Sequence, residues 1–110
     1  MKKNILIIIS LFTFIYSQCD ESNWQDYVPN LDGCNLSNQD LSSIDFSYMN
    51  LDDADLSGSN LSSCNFAGAS MVNANLANVV VWNTNFTDAL MCGIDTSELD
   101  FGLGDPITQL

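Results

Sequence analysis

Carboxylates are the most frequent side chains in this sequence that could do chemistry. The 110 residues include 14 Asp or Glu and 4 Cys, with no His. Oxygen-rich clusters can hold Ca²⁺, which takes about six to eight oxygen ligands. The weak candidates for such a site are Asp32, Asp52, Asp53 and Asp55. No calcium-loop pattern accompanies them, so we expect a solvated acidic face with no bound metal and no cofactor. Weak calcium binding is kept as an alternative.

Basic residues are confined to the start of the chain. Lys2 and Lys3 are the only two, and no Lys, Arg or His follows them. Binding of nucleic acid through its phosphates needs Lys or Arg, and a Ser or Cys nucleophile needs an activating base. The sequence therefore predicts neither an enzyme nor a protein that binds nucleic acid directly.

Residues 1–17 have the pattern of a secretory signal peptide. Lys2 and Lys3 precede an apolar run of about a dozen residues. That run is shorter than the roughly 20 residues that span a bilayer. Cleavage before Gln18 is expected, which predicts a secreted or extracytoplasmic protein, the cell surface included. Two alternatives would attach the chain to a membrane: retention of the segment, or a lipid on Cys19.

An apolar residue recurs at every fifth position from Leu31 to Phe101. Fourteen of these fifteen positions are apolar, with Thr96 as the exception, and twelve of the fifteen follow an Asn or Asp. A period of five fits neither a helix nor a flat strand. It indicates a chain that turns a corner every five residues, with the apolar centre and the residue two before it pointing inward. Asn and Asp favour such corners because their side chains bond nearby backbone.

Two segments carry a family resemblance. Ala54–Gly58 reads ADLSG and Ala74–Asn78 reads ANLAN, and both resemble the A(D/N)LxX unit of the pentapeptide repeat family. The resemblance implies an all-β fold, a right-handed quadrilateral parallel β-helix with four pentapeptides per coil. Residues 29–103 would form nearly four coils. Because solenoid ends need covering, we expect an N-terminal cap at 18–28 and a C-terminal tail or cap at 104–110.

The four cysteines are assigned on this fold. Cys34 would point inward in the first coil, within reach of Cys19 in the cap, so we favour a Cys19–Cys34 disulfide. Cys64 would point inward on the opposite face and Cys92 outward. Pairing these two would require a local rearrangement, so both are expected to remain free.

Outward apolar residues mark a candidate protein interface in the C-terminal half. Val80 and Trp82 should face outward beside the inward Val79 and Val81, and Leu90 is a further outward candidate. Aromatic residues are enriched at contact hot spots, and members of the family often dimerise near this end. The alternative is that the C-terminal tail folds back over Trp82.

Asn35, Asn60 and Asn85 each begin an N-x-[ST] sequon and are candidates for glycosylation in a eukaryotic source. The repeat itself generates these sequons, because it places Asn before the centre and Ser or Thr after it.

These features predict a non-enzymatic secreted protein that acts as a structural scaffold or protein-interaction module. Its partner would be a protein of unknown identity, with a homodimer through the C-terminal half as one form. One alternative follows from the resemblance, since some bacterial members mimic duplex DNA at type II topoisomerases. That role would require an uncleaved N-terminal segment. A weak calcium-binding surface protein is the other alternative.

Overall fold

A corner every five residues organises the chain. The computed structural model describes residues 19–95 and Leu99. Within them, thirteen corner residues have positive φ, between 55° and 78°. A positive φ at the third residue of a turn is the signature of type II, and it favours Gly and Asn. The corner residues are Gly33, Asn38, Ser43, Tyr48, Asp53, Gly58, Ser63, Gly68, Asn73, Asn78, Asn83, Asp88 and Gly93.

The first, second and third coils, residues 31–50, 51–70 and 71–90, pair in parallel with an offset of 20 residues. Asp55, for example, bridges to Asn35 in the preceding coil and to Asn75 in the next. Within the described residues these contacts are isolated bridges, because each face contributes only a short extended segment between two corners. Five residues per face and 20 per coil give four faces, so the expected quadrilateral β-helix is present. Its right-handed sense stays a prediction of the family resemblance.

The core fills the inside of the coils with one large residue per pentapeptide. Leu31, Leu36, Leu51, Leu56 and Leu61 are completely buried. On one face the centres are aromatic, and the rings stack with centroids 5.1 and 5.3 Å apart along the series Phe46, Phe66 and Phe86. The residue two before most centres also points inward, as the period of five predicts, whereas Pro29, before the first centre, is exposed. Small residues there, such as Ala54 and Ala69, leave room for the centres.

A short N-terminal segment covers the first coil. It contains a 3-10 helix, η1 (Trp24–Tyr27), and its Trp24 ring lies 5.6 Å from the ring of Phe46. Asp20 forms a parallel bridge with Asn35, and the carbonyl of Cys19 accepts the Asn35 N–H at 2.9 Å. The Val28–Pro29 peptide is cis. This segment therefore extends the aromatic stack and pairs with the lowest coil.

Some expectations fall on residues that the structure does not describe. They are the signal segment 1–17, the non-apolar centre at Thr96 and the C-terminal tail 104–110. Within the described residues, no helix has both the length and the apolar character needed to cross a membrane.

Candidate interaction surface

Ladders of Asn and Asp form the middle of the outward faces. Asn65 shows their construction: its Oδ1 accepts the N–H of Ala67 at 3.1 Å, and its Nδ2 donates to Asp45 Oδ1 at 3.1 Å. Asn85 Nδ2 then donates to Asn65 Oδ1 at 3.0 Å. Each side chain thus closes a local turn and ties its coil to the one before. The same link joins Asn50 to Asn30, Asn60 to Asp40, and Asn75 to Asp55.

The four acidic candidates do not form a common site, and two of them accept hydrogen bonds from neighbouring turns. Asp52 Oδ1 accepts the hydroxyl of Ser70 at 2.6 Å and the N–H of Val72 at 2.9 Å. Asp55 Oδ1 accepts the N–H and hydroxyl of Ser57 at 3.0 and 2.6 Å. Within residues 19–95 and Leu99, no three His, Cys, Asp or Glu side chains lie close enough to hold a metal ion. The other two candidates, Asp32 and Asp53, are exposed.

Hydrogen bonds hold the pKa of three carboxyls below its usual value. In each case the largest cause is the hydroxyl of the Ser two residues further along, followed by the N–H of the same Ser. Since these donors favour the charged form, the three carboxyls stay ionised to lower pH than an ordinary Asp. They are Asp20, Asp40 and Asp45.

Two apolar side chains interrupt the polar surface in the third coil. Val80 is 39% exposed and Trp82 is 54% exposed, whereas Val79 and Val81 are buried. The N–H of Val80 donates to Ser59 at 3.1 Å, and its carbonyl accepts the N–H of Leu61 at 2.8 Å. The paired backbone therefore keeps these side chains pointing outward. We call Val80 and Trp82 the Val80–Trp82 patch.

Leu90 lies away from that patch. It is 59% exposed and bridges to Ser70, in the column that begins with Asn30 and Asn50. Ten residues separate it from Val80, which is half a coil, so the two side chains leave the rod on opposite faces. The three interface candidates of the sequence analysis are thus all exposed, but the structure joins only Val80 and Trp82 in one surface.

The cysteines occupy three different environments. Cys19 and Cys34 form a disulfide with Cα atoms 4.6 Å apart, the pair favoured from the sequence. Cys64 is buried and free, and its thiol lies 3.0 Å from the carbonyl oxygen of Leu41. Burial raises the pKa of the Cys64 thiol. Cys92 is free and exposed, so it is the accessible thiol of the described residues.

The sequon residues differ in what their amide nitrogens do. Asn60 Nδ2 donates to Asp40 and Asn85 Nδ2 donates to Asn65, so two of the three nitrogens are held in ladders. Asn35 is exposed, and its Oδ1 accepts the N–H and the hydroxyl of Ser37 at 3.2 and 2.8 Å. Asn35 lies in the first coil, where its backbone pairs with the N-terminal segment.

The family model for pentapeptide repeats matches this chain in 8 copies, over residues 30–68 and 54–93. Together these ranges cover more than half of the chain. This chain belongs to the pentapeptide repeat family. No curated protein matches its sequence.

Solved structures similar to this pentapeptide repeat protein include three of the same family. HetL from the cyanobacterium Nostoc sp. strain PCC 7120, involved in heterocyst differentiation regulation, is 25% identical over 64% of this chain and 35% of its own, with a TM-score of 0.38. A protein of the Arabidopsis thaliana thylakoid lumen is 22% identical over 66% of this chain and 72% of its own, with a TM-score of 0.34. Rfr23 from Cyanothece 51142 is 24% identical over 66% and 64%, with a TM-score of 0.33. The matched part thus spans about a third of the length of HetL.

Two features of this pentapeptide repeat protein were not identified from its sequence. Tyr48 occupies a positive-φ corner and is 82% exposed. The signal was a large aromatic residue at a corner position that otherwise holds small or polar residues. The second feature is the buried hydroxyl of Ser59, which donates to the carbonyl of Leu36 at 2.7 Å and accepts the N–H of Gln39 at 2.9 Å.

Proposed function

We propose that this protein is a non-enzymatic structural scaffold or protein-interaction module that acts outside the cytoplasm. Membership of the pentapeptide repeat family is consistent with a structural or interaction module. The observation that carries the proposal is the Val80–Trp82 patch. Its Trp82 side chain is 54% exposed on a hydrogen-bonded backbone, and Trp is enriched at the hot spots of protein interfaces. Burial of this patch by a protein partner would remove apolar surface from water.

Residue-specific photo-cross-linking tests the contact. A photoreactive phenylalanine analogue replaces Trp82 in one variant and Leu90 in the other, and each variant is produced in the native source. A discrete adduct from position 82 and none from position 90 is expected. An adduct of twice the chain mass would identify a homodimer, and any other mass would identify a different protein. Failure of both positions to yield a discrete adduct would overturn the proposal.

The intact mass of the protein from its native source tests the location. A chain that begins at Gln18 is expected, because the N-terminal segment has the pattern of a signal peptide. A chain that still begins at Met1 would show that the segment is retained, which contradicts a secreted chain. The same spectrum reports a lipid on Cys19 and any glycan on Asn35, Asn60 or Asn85.

A further inference from the structure

One face of the rod is flat, polar and bounded by aromatic residues. It comprises residues 42–48, 62–68 and 82–88 from three successive coils, and we call it the Tyr48–Trp82 face. Asp45, Asn65 and Asn85 form the ladder along its middle. Backbone bonds tie its edges: Ser63 N–H donates to Trp82 at 2.8 Å, and Tyr48 N–H donates to Ala67 at 3.0 Å. The stacked rings of the phenylalanine column lie beneath it, so the face presents fixed positions.

Tyr48 lies at one edge of this face. A Cβ added to Gly68, the residue above it in the next coil, would meet Tyr48 Cδ1 and Cε1 at 2.7 Å. The Cδ1–Cε1 edge of the ring therefore lies against Gly68, and most of the side chain is open to solvent, because Tyr48 is 82% exposed. Its backbone has a φ of 59°, which is unfavourable for a bulky side chain.

Trp82 stands at the other edge, in the third coil, and two carboxylates complete the pattern. Asp45 lies in the middle of the first coil, where it accepts the N–H of Ser47 at 3.0 Å and Nδ2 of Asn65 at 3.1 Å. Asp88 is exposed at the corner that Tyr48 and Gly68 share, two coils above Tyr48. Coils at sheet spacing place these two corner residues roughly 10 Å apart along the rod. Aromatic rings and carboxylates thus alternate around one face.

The charge of the Tyr48–Trp82 face indicates which kind of group it can bind. No Lys, Arg or His follows Lys3 in the sequence, so no side-chain cation within residues 19–95 and Leu99 neutralises the carboxylates of the face. A second copy would bring the same acidic surface and would be repelled. A cationic group is attracted both to the face of an aromatic ring and to a carboxylate, so the pattern fits Arg and Lys side chains.

We propose that the Tyr48–Trp82 face binds a basic segment of a protein partner, with its Arg or Lys side chains over Tyr48 and Trp82 and against Asp45 and Asp88. This inference rests on the proposed function and names the chemistry of the partner. The rigid ladder sets the spacing at which the cationic groups bind. Trp82 thereby contributes to both this face and the adjoining Val80–Trp82 patch.

Titration of the full chain with a fluorescein-labelled tetra-arginine peptide tests the proposal. Fluorescence anisotropy is measured at 50 mM NaCl, and a labelled tetra-glutamate peptide serves as the negative probe. Asp88→Asn and Asp53→Asn form a matched pair, because both residues are exposed Asp at positive-φ corners and only Asp88 borders the face. Tyr48→Asn and Leu90→Ser form the second pair, one on the face and one elsewhere. Thermal melts by circular dichroism check that each variant folds.

The proposal predicts that Asp88→Asn and Tyr48→Asn each weaken tetra-arginine binding at least fivefold. Asp53→Asn and Leu90→Ser should change it less than twofold. Equal losses for Asp53→Asn and Asp88→Asn would show diffuse attraction to an acidic rod and would overturn the site. Absence of peptide binding to the parent chain would overturn it as well. Neither result would remove a cross-link from position 82, so failure of this inference is distinguishable from failure of the proposed function.

Discussion

Tyr48 is the residue at which local backbone geometry and side-chain type disagree most. The corner requires positive φ, and the other corner residues are Gly, Asn, Asp or Ser. An ordinary L-residue in the left-handed region costs about 1–2 kcal/mol, whereas Asn tolerates it. The bond from the Tyr48 N–H to Ala67 in the next coil holds this backbone conformation. The packing of the rod therefore offsets its cost in free energy.

Tyr48→Asn should therefore stabilise the protein. Relief of the unfavourable φ is expected to raise the free energy of unfolding by roughly 0.5–1 kcal/mol, since only part of the left-handed penalty is recovered. For a domain of this size a gain of 1 kcal/mol corresponds to about 4–8 °C in Tm. Urea titration followed by circular dichroism measures the change.

Tyr48→Ala is the control for that experiment. Alanine removes the ring but retains a Cβ, so the backbone penalty remains and little gain is expected. If the Ala and Asn variants gained equally, removal of the ring rather than backbone strain would be the cause.

Cysteine accessibility gives a second prediction at this scale. The thiolate is the reactive form, and Cys64 is buried with a raised thiol pKa, so only Cys92 should react in the folded protein. Iodoacetamide should add one group to the native chain, two after unfolding without reductant, and four after unfolding with reductant. Intact mass spectrometry counts them. Four groups without reductant would contradict the Cys19–Cys34 disulfide.

The roles of only some of these residues were predictable from the sequence. The outward direction of Val80 and Trp82 followed from their register relative to the apolar centres. The role of Ser59 did not, because Ser59 occupies the same inward position as Ala54, and spacing alone cannot reveal its acceptor 23 residues earlier. Tyr48 was not identified from the sequence. The period of five locates the corners, but it does not show that a corner residue must adopt a positive φ that is unfavourable for a large side chain.

At the scale of an element, the turn Leu36–Gln39 departs from its neighbours. At the other corners between Leu31 and Ala89 the N–H of the fourth residue donates directly to the carbonyl of the first, as from Ala54 to Leu51 at 3.1 Å. Here the Ser59 hydroxyl stands between the two groups and bonds both of them. A side chain of the next coil thus completes a turn of the coil below.

Ser59→Ala should destabilise the protein by about 1–3 kcal/mol, because it leaves a buried carbonyl and N–H without their shared partner. The matched control is Ser62→Ala, since Ser62 is only partly buried at an outward corner. That change should alter stability by less than about 0.5 kcal/mol. Chemical denaturation measures both. Equal stability of the Ser59→Ala variant and the parent would mean that the turn closes on its own.

The order of the structural elements was more predictable from the sequence than the contacts between them. A period of five fixed the corners, the inward positions and the columns of residues 20 apart, and those columns already separate Leu90 from Val80 by half a coil. The N-terminal cap was expected from the need to cover a solenoid end. That Trp24 extends the phenylalanine stack depends on three-dimensional packing of a segment outside the repeat, so no periodic signal could show it.

At the scale of the whole molecule, charge dominates. All 14 acidic residues follow Cys19, and no basic side chain accompanies them. Uncompensated charge of one sign opposes the compact state. Salt shortens the Debye length from about 10 Å at 0.1 M to about 3 Å at 1 M, so Tm should rise over this range. Sucrose stabilises proteins because it is excluded from their surface, and it does not screen charge, so it is the control for effects other than screening. An unchanged Tm in NaCl would show that repulsion between carboxylates does not limit stability.

The dependence of stability on pH follows from the same composition. With no His in the chain, no side-chain imidazole titrates near neutrality, so Tm should vary little between about pH 5 and 7.

Hydrogen bonds from Ser42 and Ser47 hold the pKa of Asp40 and Asp45 below their usual value of 3.8. A group with a lowered pKa in the folded state contributes stability above its unfolded pKa and loses it as pH falls through the folded value. Protonation also removes the repulsion between carboxylates, so the melts are run in 1 M NaCl, where that repulsion is screened. From pH 7 to pH 2 they should show a plateau followed by a fall below about pH 4. Asp40→Asn should reduce that fall more than Asp53→Asn, because Asp40 accepts bonds from Ser42 and Asn60 that favour its charged form. A decline already evident at pH 6 would show that groups other than these carboxylates control the stability of the rod.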